Sequence, residues 1–326
     1  MTTGTPQGRS VHLGLDLGAT NLKWAVIERA VIERAGTTWS RIDAGQAATR
    51  VASGPAGIVD QIAEVGQAAQ ARWPAIASAG IGVPGLYDPS AGTIRFLPNL
   101  AGAWAGVPMA GPVERLLGVP TALINDARAF GLAELRLGAG RGAESIVGLT
   151  LGTGVGGVVA VDGHVRLGTD GTAGEVGHQT IDPDGPLCNC GNRGCLEAYA
   201  RADQIALACG QPSVESAVRA ARDGDVRARS GLAEIGRYLG IGIANMITVL
   251  VPDRIVLGGG VAGAGELLLG PIRAEIARRV TTTAWQRVEL VTAELGVWAG
   301  SIGAAVHGAE QAERAAIAEA TAVAGG

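Results

Sequence analysis

The chain has 326 residues, of which 47% are hydrophobic, and a formal net charge of −4. This length is enough for two domains of ordinary size, each with its own core. The acidic balance and the lack of a strongly basic stripe argue against a nucleic-acid partner. No apolar stretch is long enough to span a bilayer and no signal peptide opens the chain. We therefore expect no membrane partner and a reducing, cytoplasmic compartment.

The first part of the chain alternates strands and helices after an opening hairpin. Residues 1–10 are polar, and we expect a disordered leader there. Strands at 11–17 and 23–28 flank the glycine turn GATN, which predicts a hairpin. The elements predicted next are helices at 57–73, 107–117 and 127–137 and strands at 75–84 and 121–125.

The pentapeptide VIERA occurs twice in succession, at 26–30 and 31–35. An insertion of five residues reverses which side chains of a strand face inward, so both copies cannot continue one strand with the same face buried. We interpret the second copy as a tolerated insertion that lengthens the end of the hairpin or forms a bulge.

The pattern of strand, glycine turn and strand begins again near residues 138–142. The elements predicted there are strands at 145–151, 158–161, 254–257 and 288–291 and helices at 201–208, 213–223, 232–250, 267–280 and from 300 onward. The segments LDLGAT at 15–20 and LTLGTG at 149–154 are similar, which suggests two similar halves whose glycine turns line one cleft. Together these patterns predict an α/β protein.

Three glycine-rich segments are candidates for phosphate binding: GATN at 18–21, GTGVGG at 152–157 and GGGVAG at 258–263. Each alone is typical of a simple turn, and none matches the Walker or Rossmann pattern. Three in one chain favour backbone N–H groups that hold phosphate. Asp16 precedes the first turn and could hold Mg²⁺ through water, whereas Lys23 could reach a phosphate or be a surface lysine.

Asp126 lies between the strand predicted at 121–125 and the following helix. Its type and position fit a helix N-cap. A carboxylate at the carboxyl end of a strand in an α/β sheet also lies where ligands bind, and it could accept a proton from a hydroxyl. The spacing alone favours the cap.

The segment 171–197 has the spacing of a metal loop. Cys188, Cys190 and Cys195 with His178 form the Cys₃His set of a closed, structural zinc site. Cys209 is left over, and we expect it to be buried in an apolar helical setting. The flanking glutamates, Glu175 and Glu197, could support the metal site, lie on the surface or bind a hydroxyl-rich ligand.

These segments together resemble the ROK family of sugar kinases and related proteins. The specific part is EVGHQTIDPDGPLCNCGNRGCLEAYA, supported in order by LGLDLGATNLK, LPNL, INDA, LTLGTGVGG and IVLGGGV. The resemblance implies a two-domain actin-like, RNase-H-like ATPase fold with an inter-domain cleft. It assigns 11–126 to the first domain, completed by a C-terminal helix at 306–326, and 127–305 to the second, which carries the zinc loop 178–195.

The resemblance also implies ATP-dependent phosphorylation of a hexose at its 6-hydroxyl, with Asp126 as the catalytic base. The sugar ligands that it implies are Asn99, Asn125, Asp126, Glu175, His178 and Glu197. The implied nucleotide and Mg²⁺ residues are Asp16, Gly18, Thr20, Lys23, Thr153, Gly154, Gly156, Gly258, Gly259 and Gly260. The implied zinc ligands are His178, Cys188, Cys190 and Cys195. Three residues depart from the common pattern, namely Ala19, Arg128 and Phe130, and Arg128 bears on which sugar is used.

Several functions are compatible with this resemblance. Glucose is the first expectation, and mannose, fructose, allose, N-acetylmannosamine, N-acetylglucosamine or kanosamine are the alternatives; polyphosphate could replace ATP. The family also contains sugar-responsive repressors, which carry a helix-turn-helix before the first glycine turn. The ten residues before residue 11 leave no room for one, which disfavours a regulator. Retention of Asp16 and Asp126 disfavours a protein that only binds sugar. Homodimers or higher homo-oligomers are a further expectation from the family.

Overall fold

The computed structural model describes residues 6–32 and 36–324. The elements of the first part are β1 (Pro6–Leu17), β2 (Asn21–Ile32), β3 (Gly36–Ala48), α1 (Gly54–Arg72), β4 (Ile76–Val83), β5 (Leu86–Asp88), β6 (Thr93–Phe96), α2 (Ala110–Leu117), β7 (Thr121–Asn125) and α3 (Asp126–Leu137). Those of the remainder are β8 (Ile146–Leu151), β9 (Val155–Val161), β10 (His164–Val165), α4 (Leu196–Ala200), α5 (Ala202–Ala208), α6 (Val214–Arg222), α7 (Val226–Leu250), β11 (Arg254–Gly259), α8 (Glu266–Arg279), β12 (Glu289–Thr292) and α9 (Ala299–Ala324).

The chain forms two compact units whose boundaries differ from the predicted ones. The first unit runs to Leu137 and also includes 167–172 and the residues from Val297 onward, and the second comprises 138–166 and 173–296. Helix α3 stays in the first unit because it packs along α9. All of α9 joins that unit, and not only its part after residue 305.

The first unit is built on a sheet with the strand order β3-β2-β1-β4-β7. β1 and β2 form the predicted hairpin, and β4 and β7 continue the sheet parallel to β1. Leu13, Leu15 and Ile81 of these strands are fully buried in the core. β1 begins at Pro6, so 6–10 are strand and not a disordered leader, and the rest of the predicted leader lies outside the described residues.

The described part of the VIERA repeat lengthens the hairpin. Val31 and Ile32 extend β2, and both pair with β3, opposite Thr37 and Gly36. The remaining residues of the second copy, 33–35, lie outside the described part of the chain. The pairing of β2 with β3 also shifts register between Val26 and Ile27. The lengthened hairpin is therefore one of the two expected outcomes.

Helix α9 lies directly on the backbone of the sheet in the first unit. A Cβ atom on Gly14 would overlap the carbonyl oxygen of Ser301, and one on Gly80 would overlap that of Ala304. A Cβ on Gly303 would likewise overlap the carbonyl oxygen of Ala129 in α3. Glycine is therefore required at these positions for the close approach of α9 to the strands and to α3.

We expect Gly80→Ala to lower the free energy of unfolding by at least about 2 kcal/mol, because the new methyl group meets backbone that cannot move aside. Urea denaturation measures the change. Gly111→Ala is the matched control: the new Cβ would lie 3.6 Å from the flexible end of Arg115, and alanine favours the helix. Equal stability of the two variants would contradict this account of the packing.

The second unit repeats the topology of the first. Its sheet has the strand order β10-β9-β8-β11-β12, with an antiparallel hairpin (β8 and β9) followed by two parallel strands. The two sheets therefore support the repeat seen in LDLGAT and LTLGTG. The long helix α7 packs along α8 and buries Leu232, Leu239 and Ile243.

Some elements were not predicted from the sequence. β3 has a mixed sequence of polar and small residues, GTTWSRIDAGQAA, without a clear alternation. The two-stranded β5–β6 ribbon and the five-residue α4 are too short to leave a periodic signal. None of the helices within 6–32 and 36–324 is both long and apolar enough to cross a bilayer.

Candidate functional site

In the first unit, the parallel strands bring two carboxylates to one edge of the sheet. β1, β4 and β7 run in the same direction, with Asp16 in register with Gly82 and Val83 in register with Asn125. Asp126 follows directly at the start of α3. The carboxyl ends of parallel strands are where α/β sheets bind ligands. Asp16 and Asp126 therefore occupy the edge expected for a site.

The surroundings of Asp16 oppose its charge. Burial first, and then the negative charge of Asp126, raise the pKa of Asp16 to about 6, while Lys23 acts in the opposite direction. Lys23 lies directly across the hairpin from Asp16. The carboxylate also lies against Gly300 in the first turn of α9, where a Cβ atom would meet its oxygen. Gly300 is a site residue that the sequence analysis missed.

We expect Asp16→Asn to raise the free energy of unfolding at pH 7 by about 1–3 kcal/mol. The folded-state pKa lies above the usual 3.8, so the stability contributed by the protonated group is present below 3.8 and is lost as the pH rises through about 6. The neutral amide in the variant does not ionise, so the variant does not lose this stability as the pH rises. Denaturation of both proteins without ligand at pH 4 and pH 7 measures it.

The difference between variant and parent should shrink at pH 4, where Asp16 of the folded parent is mostly protonated. Asp43→Asn is the matched control, because Asp43 accepts hydrogen bonds from the Trp73 indole at 2.9 Å and from the Ala44 N–H at 2.9 Å. This control should lose stability. An Asp16→Asn protein that is less stable than the parent at pH 7 would refute the argument.

Asn125, and not Asp126, caps helix α3. The Asn125 Oδ1 accepts hydrogen bonds from the backbone N–H groups of Ala127 at 3.0 Å and Arg128 at 3.2 Å. Its Nδ2 donates to the carbonyl of Gly85 at 3.1 Å. The cap interpretation that the spacing favoured for Asp126 is therefore wrong. Asp126 is the first residue of the helix and is half-buried. Its Oδ1 also accepts the N–H of Ala127, at 2.8 Å, whereas Asn125 accepts both that N–H and the N–H of Arg128.

The first glycine turn is shaped by a residue from β3's end. The N–H of Gly18 donates to the carbonyl of Asn21 at 3.0 Å. Thr49 closes the turn from the side: its hydroxyl donates to the carbonyl of Gly18 at 2.7 Å, and its N–H donates to that of Thr20 at 2.9 Å. Thr20 and Ala19 remain exposed at the tip. Thr49 was missed because β3 itself was missed.

In the second unit, two glycine segments emerge side by side. The second turn is confined to 152–154, where the N–H of Gly152 donates to the carbonyl of Gly154 at 2.9 Å, and Thr153 is exposed. Gly156 belongs to β9 and not to the turn. The glycine segment 258–263 begins next to this turn, because Gly259 of β11 pairs with Leu151 of β8.

Gly259 has a φ of +94°, and a Cβ there would overlap the carbonyl of Leu151. Only glycine fits this position. Gly258 precedes it within β11, and Gly260 begins a short 3₁₀ turn before α8. The predicted glycines of this loop are therefore together with Thr153 and Gly154 at one edge of the second sheet.

Glu197 connects the second turn with the cysteine cluster. Its Oε2 accepts a hydrogen bond from the N–H of Val155 at 2.9 Å, and its Oε1 lies 3.8 Å from the Sγ of Cys188. Gly154 lacks a side chain where the carboxylate passes. Glu197 thus holds the turn in place and leaves Oε1 as the oxygen nearer the cysteines.

The predicted zinc ligands converge. One ligand atom from each of His178, Cys188, Cys190 and Cys195 lies within 4.8 Å of all the others. The Sγ atoms of Cys190 and Cys195 are 3.7 Å apart, and the Sγ of Cys188 is 3.7 Å from the Nδ1 of His178. Sulfur atoms bound tetrahedrally to zinc at about 2.3 Å lie about 3.8 Å apart, so the set fits the ion.

The three thiols differ in their surroundings. Burial raises the pKa of Cys188 and of Cys195, whereas the hydrogen bond from the Asn192 N–H lowers that of Cys190. Zinc would therefore bind with release of the protons from the buried thiols. The Nε2 of His178 faces away from the thiols and lies 3.9 Å from the Oε2 of Glu175. A carboxylate at the second nitrogen orients a metal-bound histidine.

The structure does not bring every predicted residue to a defined partner. Asn99 lies exposed in the loop between β6 and α2 of the first unit. Within the first unit, Asp16, Lys23, Asn125 and Asp126 lie together with the first turn. Within the second, Glu175, His178 and Glu197 lie around the cysteine cluster.

Residues 12–310 match the sequence model described as the ROK family. The glucokinase of Streptomyces coelicolor is 32% identical over 316 residues, which cover 90% of this chain and 96% of that one. Among solved structures, a ROK hexokinase from Thermus thermophilus is 33% identical with a TM-score of 0.78, covering 93% of this chain and 99% of its own.

A ROK glucokinase from Streptomyces griseus, solved in complex with glucose and AMPPNP, is 31% identical with a TM-score of 0.73. The match covers 92% of this chain and 100% of that one. These structures confirm the predicted actin-like ATPase fold. The family match spans nearly the whole chain, and the chain belongs to the ROK family.

Proposed function

We propose that this ROK sugar kinase transfers the γ-phosphoryl group of ATP to the 6-hydroxyl of a hexose, with glucose as the preferred acceptor. The observation that carries the proposal is the arrangement of Asp126 and Asp16 at one edge of the first sheet. Asn125 provides the helix cap, and we assign the role of proton acceptor to the neighbouring Asp126 carboxylate, whose Oδ1 accepts the N–H of Ala127 at 2.8 Å. The glucokinase and hexokinase relatives support the sugar acceptor.

In the proposed reaction, Asp126 accepts the proton of the 6-hydroxyl as its oxygen attacks the γ-phosphorus in line. The backbone N–H groups of the glycine turns and the Lys23 ammonium hold the phosphates. Asp16 would hold Mg²⁺ through water, and the ion would neutralise the charge that develops on the phosphate oxygens. Most of the rate enhancement then comes from positioning and charge.

Asn99 and Asn125 in the first unit and Glu175, His178 and Glu197 in the second are proposed sugar ligands. Asn125 uses its Oδ1 for the cap and one Nδ2 hydrogen for Gly85, which leaves the other Nδ2 hydrogen for a hydroxyl. Glu197 would use Oε1, since its Oε2 is bound to Val155. The proposed zinc ion is structural: its four protein ligands leave no open position for catalysis.

An assay of sugar-phosphate formation over a panel of hexoses and aminosugars, with ATP and then with polyphosphate as donor, tests the proposal. We expect the highest kcat/KM with glucose and ATP. A higher kcat/KM with mannose, fructose, allose, an N-acetylhexosamine or kanosamine would change the acceptor but not the reaction. Inactivity of the protein with every sugar in the panel would refute the kinase proposal. A cytoplasmic location stays a prediction. Homo-oligomers are also a prediction, which the molar mass from light scattering would test.

A further inference from the structure

Arg128 is a fully buried cation two residues after the proposed base. It lies in the first turn of α3, and its side chain is 1% exposed, which makes it one of the largest completely buried side chains among the described residues. Burying a guanidinium is costly unless its N–H groups are well bonded. The partners of Arg128 therefore indicate why a cation is retained here.

The first partner is the side chain that caps the helix. One terminal nitrogen of Arg128, Nη1, donates to the Oδ1 of Asn125 at 3.0 Å. The same Oδ1 accepts the N–H of Ala127 and the N–H of Arg128, while the Asn125 Nδ2 donates to the Gly85 carbonyl. Three donors therefore bind the Asn125 Oδ1 and one acceptor binds its Nδ2, and together they hold the amide in one orientation.

The second partner is a segment that joins the first unit from a distant part of the chain. Nη2 of Arg128 donates to the carbonyl of Thr172 at 2.8 Å. Thr172 ends the segment 167–172, and its N–H and hydroxyl donate to the Asp170 carboxylate at 3.1 and 2.6 Å. A single guanidinium therefore joins the start of α3 to a segment that is itself held by local hydrogen bonds.

We infer that Arg128 is a positioning residue for the sugar side of the reaction. It holds the Asn125 amide in the orientation that presents Nδ2, and it fixes the first turn of α3, which carries Asp126. It acts through these groups and through segment 167–172, and it does not itself contact the substrate. This inference rests on the proposed function for its kinetic consequence, but the orientation of Asn125 is a separate property of the ligand-free protein.

We expect Arg128→Met to lower kcat/KM for the sugar by about ten- to a hundredfold, because small displacements of reacting groups are costly. The KM for ATP should change less than about twofold, because Asn125 and Thr172, which Arg128 holds, lie outside the glycine turns. Arg136→Met is the matched control on the same helix. Arg136 pairs with Glu310 of α9 at 2.8 Å, so its loss should lower stability and leave the sugar kinetics unchanged.

Arg128→Lys separates the effect of the two-pronged guanidinium from the effect of the positive charge alone. One ammonium group is a compact donor and does not reproduce the planar fork that binds both partners, so we expect only partial recovery of kcat/KM. Wild-type sugar kinetics in Arg128→Met, or in Arg128→Lys if the methionine variant does not fold, would overturn the inference. A loss of the same size in Arg136→Met would overturn it as well.

A measurement without turnover separates this inference from the proposed function. The chain has six asparagines, so selective ¹⁵N-asparagine labelling gives few side-chain amide signals. The Asn125 amide, assigned by its loss in Asn125→Asp, should exchange its hydrogens slowly in the parent and faster in Arg128→Met. Unchanged exchange would refute the positioning role. Inactivity of the parent on every sugar, with faster exchange in the variant, would refute only the kinase proposal.

Discussion

Asp126→Asn is expected to lower kcat by about a hundred- to ten-thousandfold, because the variant keeps the shape of the side chain but cannot accept the hydroxyl proton. Sugar affinity should change little, since asparagine retains hydrogen-bonding groups at the same place. Single-turnover kinetics measures the rate of phosphoryl transfer, and isothermal titration calorimetry measures sugar binding by the parent and the variant.

The control for Asp126 is another aspartate at a helix start. Asp225 caps α7, where its Oδ1 accepts the N–H of Ala228 at 2.7 Å. Asp225→Asn should preserve turnover, with a loss of stability of less than about 1 kcal/mol because asparagine is also a good N-cap. Near-normal turnover in Asp126→Asn would exclude Asp126 as the base, whereas the same loss in Asp225→Asn would show a general effect of such substitutions.

Cys195→Ser is expected to remove most of the bound metal and to lower the thermal stability of the protein. Metal analysis of the parent should give about one zinc ion per chain. Cys195 is fully buried and its Sγ lies 3.7 Å from that of Cys190, so serine would leave a poor ligand in the centre of the set. The sugar KM should rise, because the proposed sugar ligands Glu175 and Glu197 lie next to the loop that the proposed zinc ion would hold in place.

Cys209 offers the matched control for the zinc site. It is also fully buried, but its Sγ faces the carbonyl of Ala228 at 3.5 Å and lies outside the four-residue set. Cys209→Ala should keep the parent's zinc content and sugar KM. A folded, active parent without metal would contradict the zinc proposal, and so would equal metal loss in both cysteine variants.

The sequence predicted the elements whose pattern is strong and local. The strand predicted at 121–125 coincides with β7, and the helix after it begins at Asp126. The dipeptide Asp162-Gly163, a typical hairpin sequence, forms the turn between β9 and β10, with the two residues at φ values of +55° and +70°. Buried β-branched runs and glycine turns carry these signals within a few residues, so no distant contact is needed to read them.

The zinc set could be predicted for the same reason. Three of its ligands lie within eight residues in a glycine-rich loop, and their types alone suggest the metal. The role of Asn125 could not be predicted in this way. Asn125 and Asp126 are adjacent, both residue types cap helices, and only the position of the first helical turn decides which side chain reaches its N–H groups.

The sequence by itself indicated the α/β class, the repeated hairpins and the four residues that converge in the cysteine cluster, and the family resemblance pointed to the two carboxylates. The tertiary structure decided the environment of each. The pKa of Asp16 is raised first by burial and then by Asp126, which parallel pairing of β7 brings to the same edge of the sheet. Gly300 and Thr172 enter the site from more than forty residues away along the chain. Such partners are set by how elements pack, and packing leaves no periodic trace in the residues that take part.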